Sequence, residues 1–115
     1  MNRDEIFSGL VLELRRGSIV LAVLSRLRQP KYGYALVNEL MGSGVPVEVN
    51  TLYPLLRRLE GQGVLTSEWE TGGAKPRKYY VMTQMGNELY LLLKKQWDET
   101  VKSMNKLTEE NDDAV

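Results

Sequence analysis

Midway along this chain the hydrophobic period changes, and that change restricts the fold more than any other feature. From about Asn50 to Gln62, Leu52, Leu55, Leu56 and Leu59 recur at helical spacing. After Gly61-Gln62-Gly63 the period drops to two, with Leu65, Ser67, Trp69 and Thr71 alternating against Val64, Thr66, Glu68 and Glu70. Gly72-Gly73 opens a loop, and Arg77 to Met82 is rich in β-forming residues, so this stretch reads as a hairpin. The alternation places Trp69 over the edge of the core. An amphipathic helix running straight into a hairpin leaves few compact arrangements for 115 residues, a length near the commonest domain size.

The flanking segments complete the pattern. Ile6, Phe7, Leu10, Val11 and Leu14 make a helical set behind the candidate cap Asp4. Arg15-Arg16-Gly17-Ser18 interrupts it, with Ser18 able to cap a new start. Ile19 to Leu24 is apolar on every side, as in a helix buried all round, and Gln29-Pro30 ends it. Tyr32 to Met41 fits another helix, stopped by Gly42-Ser43-Gly44. Val45 to Val49 reads as an edge segment or bridge, because Pro46 bars a central strand. Pro54 favours Thr51 as the cap of the Leu-striped helix, since the proline then occupies a position whose N–H has no intrahelical partner. Thr83 caps a closing helix of about 24 residues, roughly 36 Å long. Thr108 to Val115 is acidic and aperiodic and is expected to be disordered.

The expected fold is therefore mainly α with a β-hairpin: a winged helix-turn-helix plus a long C-terminal dimerisation helix. The divisions are a DNA-binding domain over 1–83, a dimerisation helix over 84–107 and a disordered acidic tail over 108–115.

Composition excludes several functions. His and Cys are both absent, which removes zinc fingers, Cys–His and Ser–His nucleophile pairs and disulfide scaffolds. No cofactor is expected and no enzyme of a common type. No apolar run approaches a membrane span, so the expectation is a cytoplasmic, nucleoid-associated protein. Net charge is zero, yet residues 1–83 hold 11 basic and 8 acidic side chains, while 84–115 hold 4 and 7. A basic head is balanced by an acidic tail half, which permits DNA binding without strong bulk attraction.

Opposite the Leu stripe lie Asn50, Tyr53, Pro54, Arg57 and Arg58, with Thr51 beside them. Asn and Arg can read base edges, whereas Tyr and Thr commonly grip phosphate. A solvated helix face would look the same in isolation. Lys75, Arg77 and Lys78 make the hairpin basic, suited to phosphate or minor-groove contact. It is the conjunction of the two that favours nucleic acid. Tyr32 and Tyr34, opening the preceding helix, could hold a phosphate or simply pack on neighbours.

In the closing helix Tyr90, Leu93, Trp97, Thr100, Met104 and Leu107 are spaced alternately three and four apart, with Leu89 and Val101 widening the seam. A second copy is the expected cover, with Ile6 and Leu10 assigned to the same interface. Trp97 is either an anchor of that interface or, with Leu93 and Thr100, the wall of a pocket for a small aromatic or hydrophobic effector.

Tyr32-Gly33-Tyr34-Ala35-Leu36, Thr51-Leu52-Tyr53-Pro54-Leu55-Leu56-Arg57-Arg58-Leu59-Glu60, Gly63-Val64-Leu65 and Arg77-Lys78-Tyr79-Tyr80, with Thr83 and Gly86 following, resemble the PadR family of bacterial transcriptional regulators. The resemblance spans about residues 16–107. It implies a winged-helix homodimer that represses transcription at a palindromic operator in double-stranded DNA. The short form with one C-terminal helix is similar to the subgroup containing the lactococcal multidrug-resistance regulator, in which a Trp pair stacks on planar drugs. Trp97 falls at the matching place, while Thr100 and Met104 either line a differently shaped cavity around it or fill it. A protein-interaction module without DNA binding, and a PadR-type repressor without an effector, stay open as alternatives.

Overall fold

The computed structural model describes residues 1–113, with side chains through Glu109. In chain order the elements are α1 (Arg3–Arg16), α2 (Ile19–Ser25), β1 (Lys31–Tyr32), α3 (Gly33–Gly42), α4 (Val49–Gly61), β2 (Leu65–Glu70), β3 (Arg77–Met82) and α5 (Gln84–Asp113). The three strands form one antiparallel sheet in the order β1-β3-β2. β2 and β3 make the expected hairpin, with Leu65 opposite Met82 and Glu70 opposite Arg77. The architecture is the winged helix-turn-helix with a long C-terminal helix.

The core lies where α2, α3 and α4 meet the base of the sheet. Val23, Leu24, Leu27, Leu36, Leu40, Leu52, Leu56, Leu59, Leu65, Tyr80 and Met82 are among its buried side chains. The stripe read from α4 is confirmed, with Leu55 half-buried at its margin.

Several boundaries differ from expectation, each for a local reason. Asn2, rather than Asp4, caps α1 by accepting from the Glu5 N–H at 2.8 Å. Ser18 stands at the start of α2, but its hydroxyl donates back to the Arg15 carbonyl at 2.9 Å instead of capping. Tyr32 belongs to a strand: Lys31 and Tyr32 pair with Tyr80 and Tyr79, and α3 starts one residue later. That pair supplies the third strand, and Val45 to Glu48 forms none; Val47 is instead buried in the core.

α4 starts at Val49, three residues before the first position a Thr51 cap would allow. The Glu48 carbonyl accepts from both Thr51 and Leu52 at 2.9 Å. Those two bonds outweigh the one that Pro54, lacking an N–H, cannot give to Asn50 on the exposed face. Trp69 does not cover the core; it is 63% exposed, because it sits far out on β2 where no helix packs over it.

Thr83 caps α5 as expected, its hydroxyl accepting from the Gly86 N–H at 3.0 Å and donating to the Gly63 carbonyl at 2.7 Å. α5 then runs past residue 107 to Asp113, so the disordered tail expected from Thr108 is corrected over 108–113. Thr108 sits within the helix with its hydroxyl donating to the Met104 carbonyl at 2.9 Å, and the helix once nucleated propagates cheaply through the glutamates. Residues 114 and 115 lie outside the described residues.

Candidate nucleic-acid interface

α4 and the wing (β2, β3 and their loop) face one another across an open cleft of about 710 Å³. Its walls hold Tyr32 from β1, Tyr34 from the start of α3, Tyr53 and Arg57 from α4, and Trp69, Arg77, Lys78 and Tyr80 from the wing. Six residues singled out from sequence (Tyr32, Tyr34, Tyr53, Arg57, Arg77 and Lys78) thus meet in one concavity. Trp69 and Tyr80 were not foreseen there.

The rest of the assigned set is placed elsewhere. Asn50 and Thr51 open onto a groove of about 770 Å³ beside Arg15, Met41 and Pro46. Thr51, Pro54 and Arg58 line another, of about 500 Å³, together with Arg16 and Val20. Lys75 is exposed on the wing loop. α4 therefore presents a front toward the wing and a flank toward the corner between α1 and α2.

Tyr53 is fixed in place by a glycine. A β-carbon at Gly33 would lie 2.5 Å from Cε1 of the Tyr53 ring, far inside contact distance. Only glycine leaves room there for the Tyr53 ring, which brings α4 into close approach with the first turn of α3. Tyr53 is accordingly half-buried, while Arg57 on α4 and Tyr34 on α3 are exposed beside it.

The cations fall into two groups. Lys31 and Arg26 pair with Glu39 at 3.1 and 3.4 Å, and the Lys31 hydrogen bond, more than any other contact, holds the Glu39 carboxyl below its usual range. Lys78 pairs with Glu60 at 3.4 Å. No carboxylate among the described residues forms an ion pair with Arg16, Arg57, Arg58, Lys75 or Arg77. The Arg77 guanidinium lies 5.4 Å from the centre of the Tyr32 ring, and the Tyr32 hydroxyl donates to Glu70. That bond raises the Tyr32 hydroxyl's pKa and keeps it protonated. Glu68 does the same for Tyr79, whose hydroxyl donates to it at 3.0 Å. The outer face of the wing is thus a network of Tyr and Glu, and its basic character is concentrated at the tip and in the cleft.

Leu93, Trp97 and Thr100 come together in a second kind of groove, of about 320 Å³, closed on its other side by Leu14, Val20 and Leu21. Around it the apolar surface is open. Ile6, Phe7 and Leu10 of α1 and Leu89, Leu92, Met104 and Leu107 of α5 are exposed. Val101 is half-buried. Tyr90 is drawn into its own head, packed on the core with the Arg28 guanidinium 4.9 Å from its ring centre.

Sequence reasoning missed Gly33, Glu60 and Ser67 as parts of the site. Ser67 carried a signal: it shares the inner face of β2 with Leu65, and a polar residue there needs a partner.

A helix-turn-helix with an Arg-bearing second helix and an adjoining basic wing defines a DNA-binding regulator of the winged-helix class. Residues 20–91 match the transcriptional regulator PadR-like family, and the chain belongs to it. It is similar in structure to a PadR family transcriptional regulator from Eggerthella lenta, with TM-score 0.88 and 55% identity over 92% of this chain and 95% of that one. It also resembles a transcriptional regulator from Clostridium thermocellum, with TM-score 0.74 and 30% identity over 82% and 96% of the two chains. In sequence it is 35% identical over 75 residues to Transcriptional regulator Rv3488 of Mycobacterium tuberculosis, covering 64% of this chain and 70% of that protein. These relatives are regulators rather than enzymes. No helix among the described residues is long and apolar enough to cross a membrane.

Proposed function

We propose that this PadR-family regulator is a homodimeric repressor that grips a palindromic operator with α4 and the wing of each copy. The observation that carries the reading is the single cleft joining Tyr34, Arg57, Arg77 and Lys78, with Arg57 and Arg77 free of ion pairs among the described residues. Arg57 reaches base edges in the major groove, while Arg77 and Lys75 meet backbone or minor groove and Lys78 lines the cleft between them. Asn50, Thr51, Pro54 and Arg58, on the flank of α4, extend the contact along the groove. Tyr32, Tyr34 and Tyr53 serve as phosphate contacts or packing supports.

The exposed apolar faces of α1 and α5 support self-association. Two reading helices then address half-sites roughly 34 Å apart. The groove at Leu93, Trp97 and Thr100 supports release by a flat aromatic or hydrophobic effector. Such a molecule acts only if it binds two arrangements of the heads with different affinity.

Fluorescence anisotropy on DNA from the protein's own promoter region tests the first part. The parent is expected to bind at about 0.15 M salt, with Arg57→Ala and Arg77→Ala weakened. Equal binding by both variants would overturn the site assignment, and no binding by the parent would leave a protein-interaction module as the better reading. For the effector, planar aromatic cations and phenolic acids are titrated while Trp fluorescence is followed. Quenching in the parent but not in Trp97→Phe supports the groove, and a parent that responds to none of them removes it.

A further inference from the structure

We infer that Glu60 is a positioning residue for DNA reading, a clamp that sets the wing against α4 by holding one residue of each wing strand. The inference rests on the proposal that α4 and the wing grip DNA together.

Glu60 is the penultimate residue of α4, and its two carboxylate oxygens have separate tasks. Oε2 accepts from the Ser67 hydroxyl on β2. Oε1 faces the Lys78 ammonium on β3 at 3.4 Å. Among the described residues these are the only side-chain hydrogen bonds between α4 and the wing. Below them the hairpin is fixed by buried Val64 and Leu65. Beyond them Trp69 is exposed, as is the whole of 70–77. Glu60 therefore stands where the wing leaves the core, the point that decides the angle of everything further out.

The Lys78 ammonium occupies a corner made by that carboxylate and two aromatic faces, with its nitrogen 5.3 Å from the Tyr80 ring centre and 6.0 Å from that of Trp69. Opposite charge and π-faces both favour the cation there. A lysine held in this way is half neutralised by its own protein, so it contributes little to indiscriminate attraction for DNA. Its function in the clamp is to keep Arg57 and Arg77 at the separation at which both can engage one duplex. Arg57 makes no ion pair among the described residues, so Arg57 and Lys78, two of the three cations lining the cleft, are treated oppositely by the fold.

The test compares promoter DNA with a scrambled duplex over a salt series, using the full-length protein. Glu60→Gln retains an acceptor for Ser67 but releases Lys78. It is expected to lower the promoter-to-scrambled affinity ratio about fivefold while tightening binding to scrambled DNA. The slope of log K against log salt should steepen by about 0.9, the value for one added phosphate contact. In a Lys78→Met background the same change should leave the slope where it is. Ser67→Ala, which removes only the β2 contact, should lower the ratio about twofold with no change of slope. A merely structural role would weaken both duplexes together and leave the slope unchanged, and that result overturns the clamp, as does an unchanged ratio in Glu60→Gln. An Arg57→Ala protein that binds the promoter like the parent overturns instead the reading on which the clamp rests.

Discussion

Among the described residues every buried apolar side chain lies between Val23 and Met82, whereas α1 has no buried residue and α5 only Gly86. Head and end helices thus differ in what holds them. The head closes a core of its own. α1 is a helix of 14 residues, a length marginal on its own in water, and it shows solvent Phe7 and Leu14 at 65% and 81% exposure. The shape reflects the same division: the radius of gyration is 17.3 Å, against about 13 Å for a compact chain of this length. One region is folded by its own sequence, and the other is finished by whatever it packs against.

The contrast predicts two classes of variant. The largest effect belongs to the head. Leu56 is fully buried, so Leu56→Ala should cost about 2–5 kcal/mol of stability, the same loss at every protein concentration even though dimerisation shifts the midpoint itself. A loss that varied with concentration would show that the head is not self-sufficient. Next comes α5, where Trp97→Ala should weaken self-association by about 2 kcal/mol, near thirtyfold, as read by sedimentation equilibrium. An unchanged association constant would show that the apolar faces are not joined to each other. Arg57→Ala should lower promoter affinity by about 1–3 kcal/mol while melting temperature and dimer constant stay those of the parent.

The smallest effect is on pH. Lys31 and Arg26 hold the Glu39 carboxyl below its ordinary value of 4.5. A carboxylate depressed in the folded state stabilises above its unfolded pKa and loses that contribution as pH falls through the folded value. Acid denaturation of the parent should therefore steepen below about pH 4.5, and Glu39→Gln should flatten part of that slope, Glu60 retaining its own share. An identical slope in the variant would remove Glu39 from the account.

Most of the head was legible because its signals are local. The stripe Leu52-Leu56-Leu59, the alternation after Gly63 and the Thr83 cap each lie within one element. β1 was not legible: a two-residue strand has no period, and its partners Tyr79 and Tyr80 are nearly fifty residues away. Pro54 misled for an energetic reason, since one missing bond on an exposed face weighs less than two bonds to Glu48. The cleft was half legible. Side-chain chemistry marked Arg57, Arg77 and Lys78, but only tertiary geometry separates Arg57 from Lys78, which meets Glu60, a residue 18 positions away. Tyr53 likewise looked like a free groove residue until Gly33 was seen beneath its ring.

The base of α5 has a mechanical meaning. A β-carbon on Gly86 would lie 2.1 Å from the Val64 carbonyl oxygen, so helix and head are in backbone contact there, and Thr83 ties the same corner to Gly63 and Val64. A rod pinned so tightly behaves as a lever. Thirty residues at about 1.5 Å each make it about 45 Å long, and its far end sweeps about 0.8 Å for each degree of rotation. Read in reverse, one ångström of displacement at Trp97, about 20 Å from the fulcrum, turns the head by about 3°. Small adjustments of packing along α5 are thereby converted into changes of bearing for α4 and the wing.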